Sequence, residues 1–357
     1  MMNQIDGQYD VDQFRIESII AAYPKTVLDL FNPEPDKRVA RIARSIGIFE
    51  KRICTQGLIF TDLCIGAIHE TMERNNHTPD DIDAIIVCTQ SSEYLIPGTA
   101  VLLQDLCGFS KNTLAFDVNL GCSAYPYGVF LGHSLLLAGL RRVYVVVGDQ
   151  SFSGDTKDVG ASILFGDCAT VTSLTLGQLG EKAYFSFGTD GSGYKSLYIP
   201  HGGKRRPVTV DSFDYVEQAD GTIRRGIDVV LDGPEILKFS LSVVPQQVAN
   251  FLEHSNLNIG DIDALILHQA NKMINDTIRK KLKGTVEQFP STLAKFANTS
   301  SASIPLTAVE MSKPVFAKPS STVFMCGFGI GLSWASMAIK TSGKEYLGAI
   351  EIDVPGP

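Results

Sequence analysis

Two similar segments lie about half a chain apart, and this repeat limits the possible fold more than any other feature of the sequence. Residues 81–90 read DIDAIIVCTQ, and residues 261–270 read DIDALILHQA. Each segment follows a short turn and a pattern typical of an amphipathic helix, at about residues 61–75 and 240–255. Each then gives a continuously apolar run of the kind found in the buried strands of parallel sheets. The repeat indicates that the chain arose by duplication.

The elements that follow each repeat also correspond. In both halves a strand-to-helix junction comes next, and two further apolar strands follow it. Alternating strands and helices predict α/β layers joined by right-handed crossovers. A polar, glycine-rich stretch from about residue 188 to 226 interrupts the second half, and we expect it to form loops over the functional site. The corresponding elements are the junctions at Cys122 and at 298–303, and the strands at 143–148, 169–174, 321–325 and 333–339.

The composition is that of an ordinary globular protein, with 44% hydrophobic and 20% charged residues. The formal net charge of −8 argues against nonspecific binding to nucleic acid, which usually requires a basic domain. The seven cysteines are scattered, without a C-x-x-C pair or zinc-site spacing, which favours reduced thiols in a cytosolic protein. The sequence shows no apolar signal segment and no run of about eighteen apolar residues that could span a membrane. We therefore expect a cytoplasmic protein.

Cys122 lies where a β-rich segment gives way to an apolar helix over residues 123–139. The unpaired N–H groups and the positive dipole end at a helix start favour a thiolate over a thiol. A cysteine is also among the residues most often buried for packing, and position alone favours that structural role.

His268 ends the second repeat strand, and the carboxyl ends of strands are where α/β proteins place reactive groups. The first repeat has Cys88 at the equivalent position, and an apolar helical stripe that includes Met273 follows the histidine. Asn298 lies in a run of small polar residues before an apolar helix at 306–311, where asparagine commonly caps a helix. Each of these residues alone is more typical of a structural role.

Gly327, Gly329 and Gly331 form a cluster that lacks the spacing and the lysine of a phosphate loop. Because glycine lets the backbone come close to a ligand, this cluster is better suited to donate an N–H to a substrate oxyanion. A thiol at a helix start, a histidine, an asparagine and such a backbone corner together form a coherent site for acyl transfer from a thioester.

These residues lie in motifs that resemble the thiolase superfamily, and specifically β-ketoacyl-acyl-carrier-protein synthase III. The motifs occur in the family's order, and the resemblance covers roughly residues 40–340. It implies a thiolase-like α/β fold of two duplicated βαβαβαββ halves, residues 1–178 and 179–357, stacked as a layered α-β-α-β-α sandwich. The motifs are GCSAYPYGV at 121–129, HQAN at 268–271, ANTSSASIPL at 297–306 and GFGIGLSW at 327–334.

The resemblance also implies a Cys-His-Asn catalytic set. Cys122 would take an acyl group from a thioester, while His268 and Asn298 would hold the carbonyl of a malonyl-carrier thioester as carbon dioxide leaves. The resulting carbanion would attack acyl-Cys122, and the N–H groups of Cys122 and Gly331 would stabilise the tetrahedral oxygen. The product would be a 3-oxoacyl thioester, and the resemblance implies no cofactor beyond coenzyme A or carrier-protein thioesters.

Substrate and partner contacts are implied as well. Gly233 and Asn271 would contact pantetheine, and Tyr125 takes the family's usual phenylalanine position in the substrate site. The implied partners are acyl carrier protein, acyl-coenzyme A and a second copy of the chain, whose acyl pocket the segment 94–99 would shape. Basic residues would dock the acidic carrier protein, although the run 279–281 taken alone is typical of a solvated helix face. These docking residues are Lys238, Lys280 and Lys281.

The sequence departs from the family at two coenzyme A contacts. Residues 38–47 replace a tryptophan-containing segment that stacks on the adenine, and Val159 replaces a phosphate-contacting arginine. We therefore expect an acyl-carrier thioester, or a coenzyme A ester bound in another way, as the donor. One alternative is acyl transfer to an alcohol, amine or other acceptor without decarboxylation. Others are a hydroxymethylglutaryl-type synthase, with Glu93 as its added acid, and a subunit that binds without turnover.

Overall fold

The computed structural model describes residues 3–5, 7–32, 35–55, 57–151, 157–219 and 221–353. None of the helices in these ranges is long and apolar enough to cross a membrane. The strands are β1 (Asn3–Ile5), β2 (Gln8–Val11), β3 (Phe14–Pro24), β4 (Val27–Asp29), β5 (Glu50–Arg52), β6 (Ala84–Cys88), β7 (Leu114–Val118), β8 (Arg142–Asp149), β9 (Cys168–Leu176), β10 (Ala183–Thr189), β11 (Leu197–Tyr198), β12 (Val216–Glu217), β13 (Ile223–Arg224), β14 (Val230–Leu231), β15 (Ala264–Leu267), β16 (Thr322–Gly329), β17 (Ser333–Lys340) and β18 (Tyr346–Ile352). The helices are α1 (Lys37–Ile46), α2 (Phe60–Asn75), α3 (Thr99–Leu106), α4 (Ala124–Leu137), α5 (Val159–Leu164), α6 (Gly233–His254), α7 (Lys272–Lys281), α8 (Leu293–Phe296), α9 (Ser303–Met311) and α10 (Lys313–Phe316).

Two mixed sheets form the frame of the molecule. Among the described residues each has six strands, in the orders β18-β3-β9-β8-β6-β7 and β1-β2-β10-β17-β16-β15. The two repeat strands occupy corresponding places, since β6 pairs in parallel with β8 and β15 pairs in parallel with β16. Every residue of β6 and β15 is buried, which explains why both read as continuous apolar runs. The predicted correspondence of the two repeats is confirmed.

Helices α4 and α9 lie between the two sheets, packed in one core with both of them. Gly128 and Gly132 let α4 approach the first sheet closely, because a Cβ at either position would lie 2.8 Å from a side-chain carbon of Val145 or Leu174. Helices α2 and α3 cover the outer face of the first sheet, and α6 and α7 cover the outer face of the second. These five layers confirm the predicted α-β-α-β-α sandwich.

The two ends of the chain cross between the sheets. The N-terminal hairpin of β1 and β2 joins the second sheet beside β10, while the C-terminal β18 joins the first sheet beside β3. In the described part of the molecule β6 is also flanked by β7, whereas β15 lies at the edge of its sheet. The halves therefore match in their central strands and differ at their edges, and a domain boundary after residue 178 stays a prediction.

Two local expectations about the second half are wrong. Met273, expected in the buried stripe after the second repeat, is 52% exposed, while Ile274 and Ile278 of the same helix are buried. The other concerns Gly327 and Gly329, which the sequence pattern places after a strand; both lie inside β16. The β-strand thus carries the glycine backbone directly into the functional site.

The glycine-rich stretch from 188 to 226 contains more regular structure than loops alone. It includes a helical turn at Gly191–Ser196, the strand β11, which pairs with β14, and the pair β12 and β13. Leu197, Tyr198 and Ile199 from this stretch line the cavity described below, as expected of a segment that covers the site.

Candidate active site

The Cys122 thiol lies at the junction between β7 and α4 and is 7% exposed. Gly329 lies directly beside it, since a Cβ there would lie 3.0 Å from the sulfur. Burial raises the pKa of the thiol to about 11, although hydrogen bonds from the Ile330 backbone amide and the Ser300 side chain act to lower it. Loss of hydration therefore outweighs the helix end, and the buried sulfur is protonated at neutral pH.

His268 directly follows β15, and its backbone N–H donates to the Cys326 carbonyl at 2.7 Å. Its ring Nδ1 lies 2.8 Å from the Ser303 hydroxyl, and the ring packs edge-on against Phe328. Burial lowers the pKa of the imidazole to about 3, while a hydrogen bond with the Ser300 backbone acts in the opposite direction. The ring is therefore neutral at physiological pH and can offer an N–H donor without carrying charge.

Asn298 lies between α8 and α9 and faces the cavity. Its backbone N–H donates to the Leu164 carbonyl at 3.0 Å, and its carbonyl accepts from the Gly166 N–H at 3.1 Å. The side-chain Oδ1 accepts from the Ser300 N–H at 2.9 Å, and Nδ2 donates to the Ala270 carbonyl at 3.5 Å. These contacts fix the carboxamide beside the strand end that carries the histidine.

A cavity of about 660 Å³ opens onto Cys122 and Asn298. This volume lies in the range of pockets that hold small-molecule substrates. His268 is 2% exposed and does not itself line the cavity, but it contacts the backbone of Ser300, which does. The structure therefore brings the predicted catalytic residues together around one turn. The cavity is lined by Thr89, Gln90, Ser91, Ser92, Tyr94, Leu95, Asp117, Asn119, Cys122, Asp149, Gln150, Ser151, Phe165, Gly166, Leu197, Tyr198, Ile199, Val229, Asn298, Ser300 and Ile330.

One predicted contact needs correction, and another stays a prediction. The backbone amide that reaches the Cys122 sulfur is that of Ile330, and a contact of the Gly331 N–H with a substrate oxyanion stays a prediction. Tyr125 does not line the cavity, because it is completely buried and its hydroxyl lies 3.2 Å from the Thr172 hydroxyl in the core. The side chain next to the nucleophile therefore packs against the first sheet instead of contacting a substrate.

The remaining predicted contacts lie on α6 and α7. Gly233 is the first residue of α6, and Asn271 caps α7 by accepting from the Ile274 N–H at 2.9 Å. Neither residue lines the cavity, and their contact with pantetheine stays a prediction. Among the described residues, no three His, Cys, Asp or Glu side chains are grouped to hold a metal ion. The docking residues on these packed helices are exposed: Lys238, Lys280 and Lys281.

Asp149 and Ser300 also line the cavity, although neither was predicted from the sequence. Asp149 ends β8 and lines the cavity, and its Oδ1 accepts from the Gln90 N–H at 2.7 Å and the Thr89 hydroxyl at 3.1 Å. Burial raises the pKa of this carboxyl, which hydrogen bonds from Ser300 and other donors act to lower. Asp149 also ends a strand, and α/β proteins place reactive groups at the carboxyl ends of strands, so the sequence did contain a sign that Asp149 belongs to the site.

Models of one protein family match both halves of the site. Residues 116–191 match the family described as 3-oxoacyl-[acyl-carrier-protein (ACP)] synthase III. Residues 252–341 match the model for the C-terminal part of 3-oxoacyl-[acyl-carrier-protein (ACP)] synthase III. Cys122 falls in the first match, and His268 and Asn298 fall in the second.

Relatives that align over most of the chain agree. A β-ketoacyl-[acyl-carrier-protein] synthase III of Caldanaerobacter subterraneus subsp. tengcongensis is 34% identical over 324 residues, which are 89% of this chain and 95% of the relative. A putative 3-oxoacyl-[acyl-carrier-protein] synthase 3 of Campylobacter jejuni is 31% identical and covers 85% of each chain. The crystal structure of a 3-oxoacyl-(acyl-carrier protein) synthase from Burkholderia xenovorans superposes with a TM-score of 0.89 at 31% identity, covering 97% of this chain and 99% of that one. The chain therefore belongs to the thiolase-like β-ketoacyl-acyl-carrier-protein synthase III family, and the enzyme class predicted from its motifs, decarboxylative condensation on a carrier protein, is confirmed with it.

Proposed function

We propose that Cys122 carries the acyl group and that His268 and Asn298 prepare the malonyl-carrier substrate that attacks it. The observation that carries this proposal is the common turn at Ser300. Ser300 lines the cavity together with Cys122, its backbone contacts His268, and its N–H donates to the Asn298 Oδ1 at 2.9 Å. Loss of carbon dioxide would leave an enolate oxygen, which a neutral imidazole N–H and a carboxamide N–H stabilise. The enolate carbon would then attack the carbonyl carbon of acyl-Cys122.

The oxygen of the tetrahedral intermediate needs its own donors. We propose the backbone N–H of Cys122 for this role, together with an N–H of the corner formed by Ile330 and Gly331. The N–H groups of Cys122 and Ile330 act on the Cys122 sulfur and lower the pKa of its thiol, so both point toward the place where the acyl carbonyl would form. Gly329 supports this arrangement because any Cβ there would press on the Cys122 side chain.

Intact-protein mass spectrometry tests this function directly. The enzyme is incubated with a panel of acyl-coenzyme A and acyl-carrier thioesters, and malonyl-carrier protein is added afterwards. We expect one acyl group on Cys122, which disappears as a 3-oxoacyl-carrier product forms. An acyl-enzyme that does not react with malonyl-carrier protein but transfers its acyl group to an alcohol or amine would instead support the non-decarboxylating alternative.

We propose that the active protein is a homodimer and that the segment 94–99 lies at its interface. Leu95 and Ile96 are 95% and 86% exposed, and Tyr94 is 53% exposed, although all three carry large apolar surfaces. An exposed apolar patch of this kind commonly marks an interface. Tyr94 and Leu95 also line the cavity, so a second copy packed here would close the acyl pocket.

We further propose that Lys238, Lys280 and Lys281 receive an acidic carrier protein. Lys238 on α6 forms an ion pair with Glu235 at 3.5 Å, and the Lys281 ammonium on α7 donates to the Leu241 carbonyl of α6 at 2.7 Å. The positive charges of the lysines therefore lie on two neighbouring helices. Local positive charge can steer an acidic partner even when the net charge of the chain is negative.

Reversing two of these charges tests the docking surface. In the double variant Lys280→Glu and Lys281→Glu, we expect KM for malonyl-carrier protein to rise on the order of tenfold and its dependence on salt to weaken. Acylation by a coenzyme A thioester should stay at the wild-type rate, because these lysines lie outside the cavity. Lys111→Glu and Lys344→Glu provide a matched control on other exposed surfaces. Equal KM values for malonyl-carrier protein in both double variants would show that the carrier protein does not dock on α6 and α7.

A further inference from the structure

Lys51 on β5 is a buried lysine that no step of the proposed function uses, and it is only 2% exposed. Its ammonium donates to the Ser162 carbonyl at 2.7 Å and to the Phe165 carbonyl at 2.9 Å. These carbonyls belong to the last turn of α5 and to the residue that follows it, where a helix leaves its C=O groups without partners. Because a charge is costly to bury, these contacts tie the lysine closely to the end of α5.

The backbone at the end of α5 lies directly against the segment that carries Asn298. The Asn298 N–H donates to the Leu164 carbonyl at 3.0 Å, and the Asn298 carbonyl accepts from the Gly166 N–H at 3.1 Å. Phe165, between these two residues, forms a parallel bridge with Asn298. Any Cβ on Gly166 would collide with the Phe296 carbonyl oxygen, so the two segments are in close contact. The stretch that the lysine holds is therefore the stretch that holds the asparagine.

The residue before Asn298 has a strained backbone. Ala297 is buried and has a φ of +56° with a ψ of −156°, close to a conformation that almost only glycine adopts. Such strain persists only where surrounding contacts fix the backbone. The two hydrogen bonds that Asn298 forms with the end of α5 come directly after the strained residue and supply contacts of this kind.

Asp167 fixes the other end of the same stretch. Its N–H donates to the Arg52 carbonyl at 2.9 Å. Its carboxylate accepts from the Cys54 N–H and from the Ser151 N–H, each at 2.6 Å. Burial lowers the pKa of Lys51, and the negative charge of Asp167 acts in the opposite direction. Residues 162–167 are therefore held at one end by a buried cation and at the other by a buried carboxyl.

We propose that Lys51 is a positioning residue for Asn298, because it fixes the stretch of backbone that sets the place of the carboxamide. This inference rests on the proposed function, in which Asn298 donates to the enolate oxygen of the malonyl substrate. Lys51 does not line the cavity, so it acts through the asparagine and not on the substrate. A misplacement of a reacting group by about 1 Å can cost on the order of 10²-fold in rate. Cys122 is held instead at the junction of β7 and α4.

Lys51→Met tests this role, because it removes the ammonium and keeps an unbranched side chain. Release of carbon dioxide from malonyl-carrier protein should slow roughly 10- to 10²-fold. Acylation of Cys122 in a single turnover, followed by intact-protein mass spectrometry, should stay close to the wild-type rate. Arg142→Met is the matched control, since it removes a partly buried cation that pairs with Glu17 at 3.1 Å, at the end of β8 away from the cavity. It should lower the melting temperature and slow neither step.

A double-mutant cycle shows whether the lysine acts through the asparagine. Asn298→Ala alone should slow the release of carbon dioxide, and Lys51→Met added to Asn298→Ala should slow it no further. A lysine that only stabilises the fold would instead lower the rate by the same factor in both backgrounds. Lys51→Arg keeps a cation with several N–H donors in a different geometry, so it should recover part, but not all, of the rate that Lys51→Met loses. Thermal unfolding of each variant checks that the fold is kept.

The outcomes distinguish this inference from the proposed function. Wild-type release of carbon dioxide by Asn298→Ala would overturn the role that the proposed function gives to the asparagine. Slow release by Asn298→Ala, combined with wild-type release by Lys51→Met, would overturn the positioning role alone. Equal slowing of acylation and release by Lys51→Met, or additive losses in the cycle, would overturn it as well. If Lys51→Met does not fold, Lys51→Arg decides, since slower release with normal acylation supports the role and any other result overturns it.

Discussion

Cys122→Ala is expected to abolish condensation, with the rate of 3-oxoacyl product formation falling by at least about 10⁴-fold. Alanine removes the sulfur on which the acyl group is carried and leaves a small gap next to Gly329. His268 and Asn298 stay in place, so slow loss of carbon dioxide from malonyl-carrier protein should persist without condensation. Product formation is followed by separating the carrier species, and carbon dioxide release is measured in parallel.

Cys88→Ala is the matched control for this substitution. Cys88 ends the first repeat strand at the position equivalent to His268, is completely buried, and does not line the cavity. Its truncation costs about 1 kcal/mol of stability through lost packing and should leave the condensation rate close to that of the wild type. A Cys122→Ala variant that condenses at the rate of Cys88→Ala would show that another residue carries the acyl group.

His268→Ala is expected to give the opposite phenotype, with normal acylation of Cys122 and a loss of decarboxylative condensation of about 10²- to 10³-fold. This is the usual effect of removing one donor to a developing oxyanion. Because burial lowers the pKa of the imidazole to about 3, His268 stays neutral between pH 5 and 9 in the folded enzyme. Its protonation should therefore produce no acid limb in the pH dependence of wild-type condensation above about pH 4.

His268→Asn serves as the second arm of this experiment, since its carboxamide keeps an N–H donor in a shorter side chain. We expect it to recover part of the rate that His268→Ala loses. Single-turnover acylation and steady-state condensation are measured for both variants on the same preparations. Slow acylation in both variants, at an unchanged melting temperature, would mean that the histidine acts on the thiol and not on the malonyl thioester.

The sequence was sufficient to predict the layered fold because the information was local and repeated. Apolar runs without alternation mark strands buried on both faces, and two equivalent runs with the same flanking helices predict two equivalent sheets. The exchange of β1, β2 and β18 between the sheets was not predictable in this way. Edge strands are selected by pairing across the whole chain, and no local pattern specifies which sheet they join.

The errors within the site also have physical causes. Consecutive backbone N–H groups point in different directions, so the glycine pattern could indicate a backbone corner near the thiol but not that the Ile330 N–H faces the sulfur. Tyr125 follows the nucleophile closely in sequence, yet the rotation of α4 turns it toward the sheet. The protonation of Cys122 depends on how completely water is excluded, which sequence position cannot reveal.

The division of the cavity wall between the two halves has a consequence for how such enzymes diversify. Most of the wall comes from residues 89–151, whereas the side chains that we propose to act on the malonyl thioester, His268 and Asn298, belong to the other half. On this proposal, the wall that holds the acyl group and the side chains that activate the malonyl thioester lie mostly in separate stretches of the chain. Substitutions in the first stretch, away from Cys122, would change which acyl group is accepted while the side chains that activate the malonyl thioester stay the same.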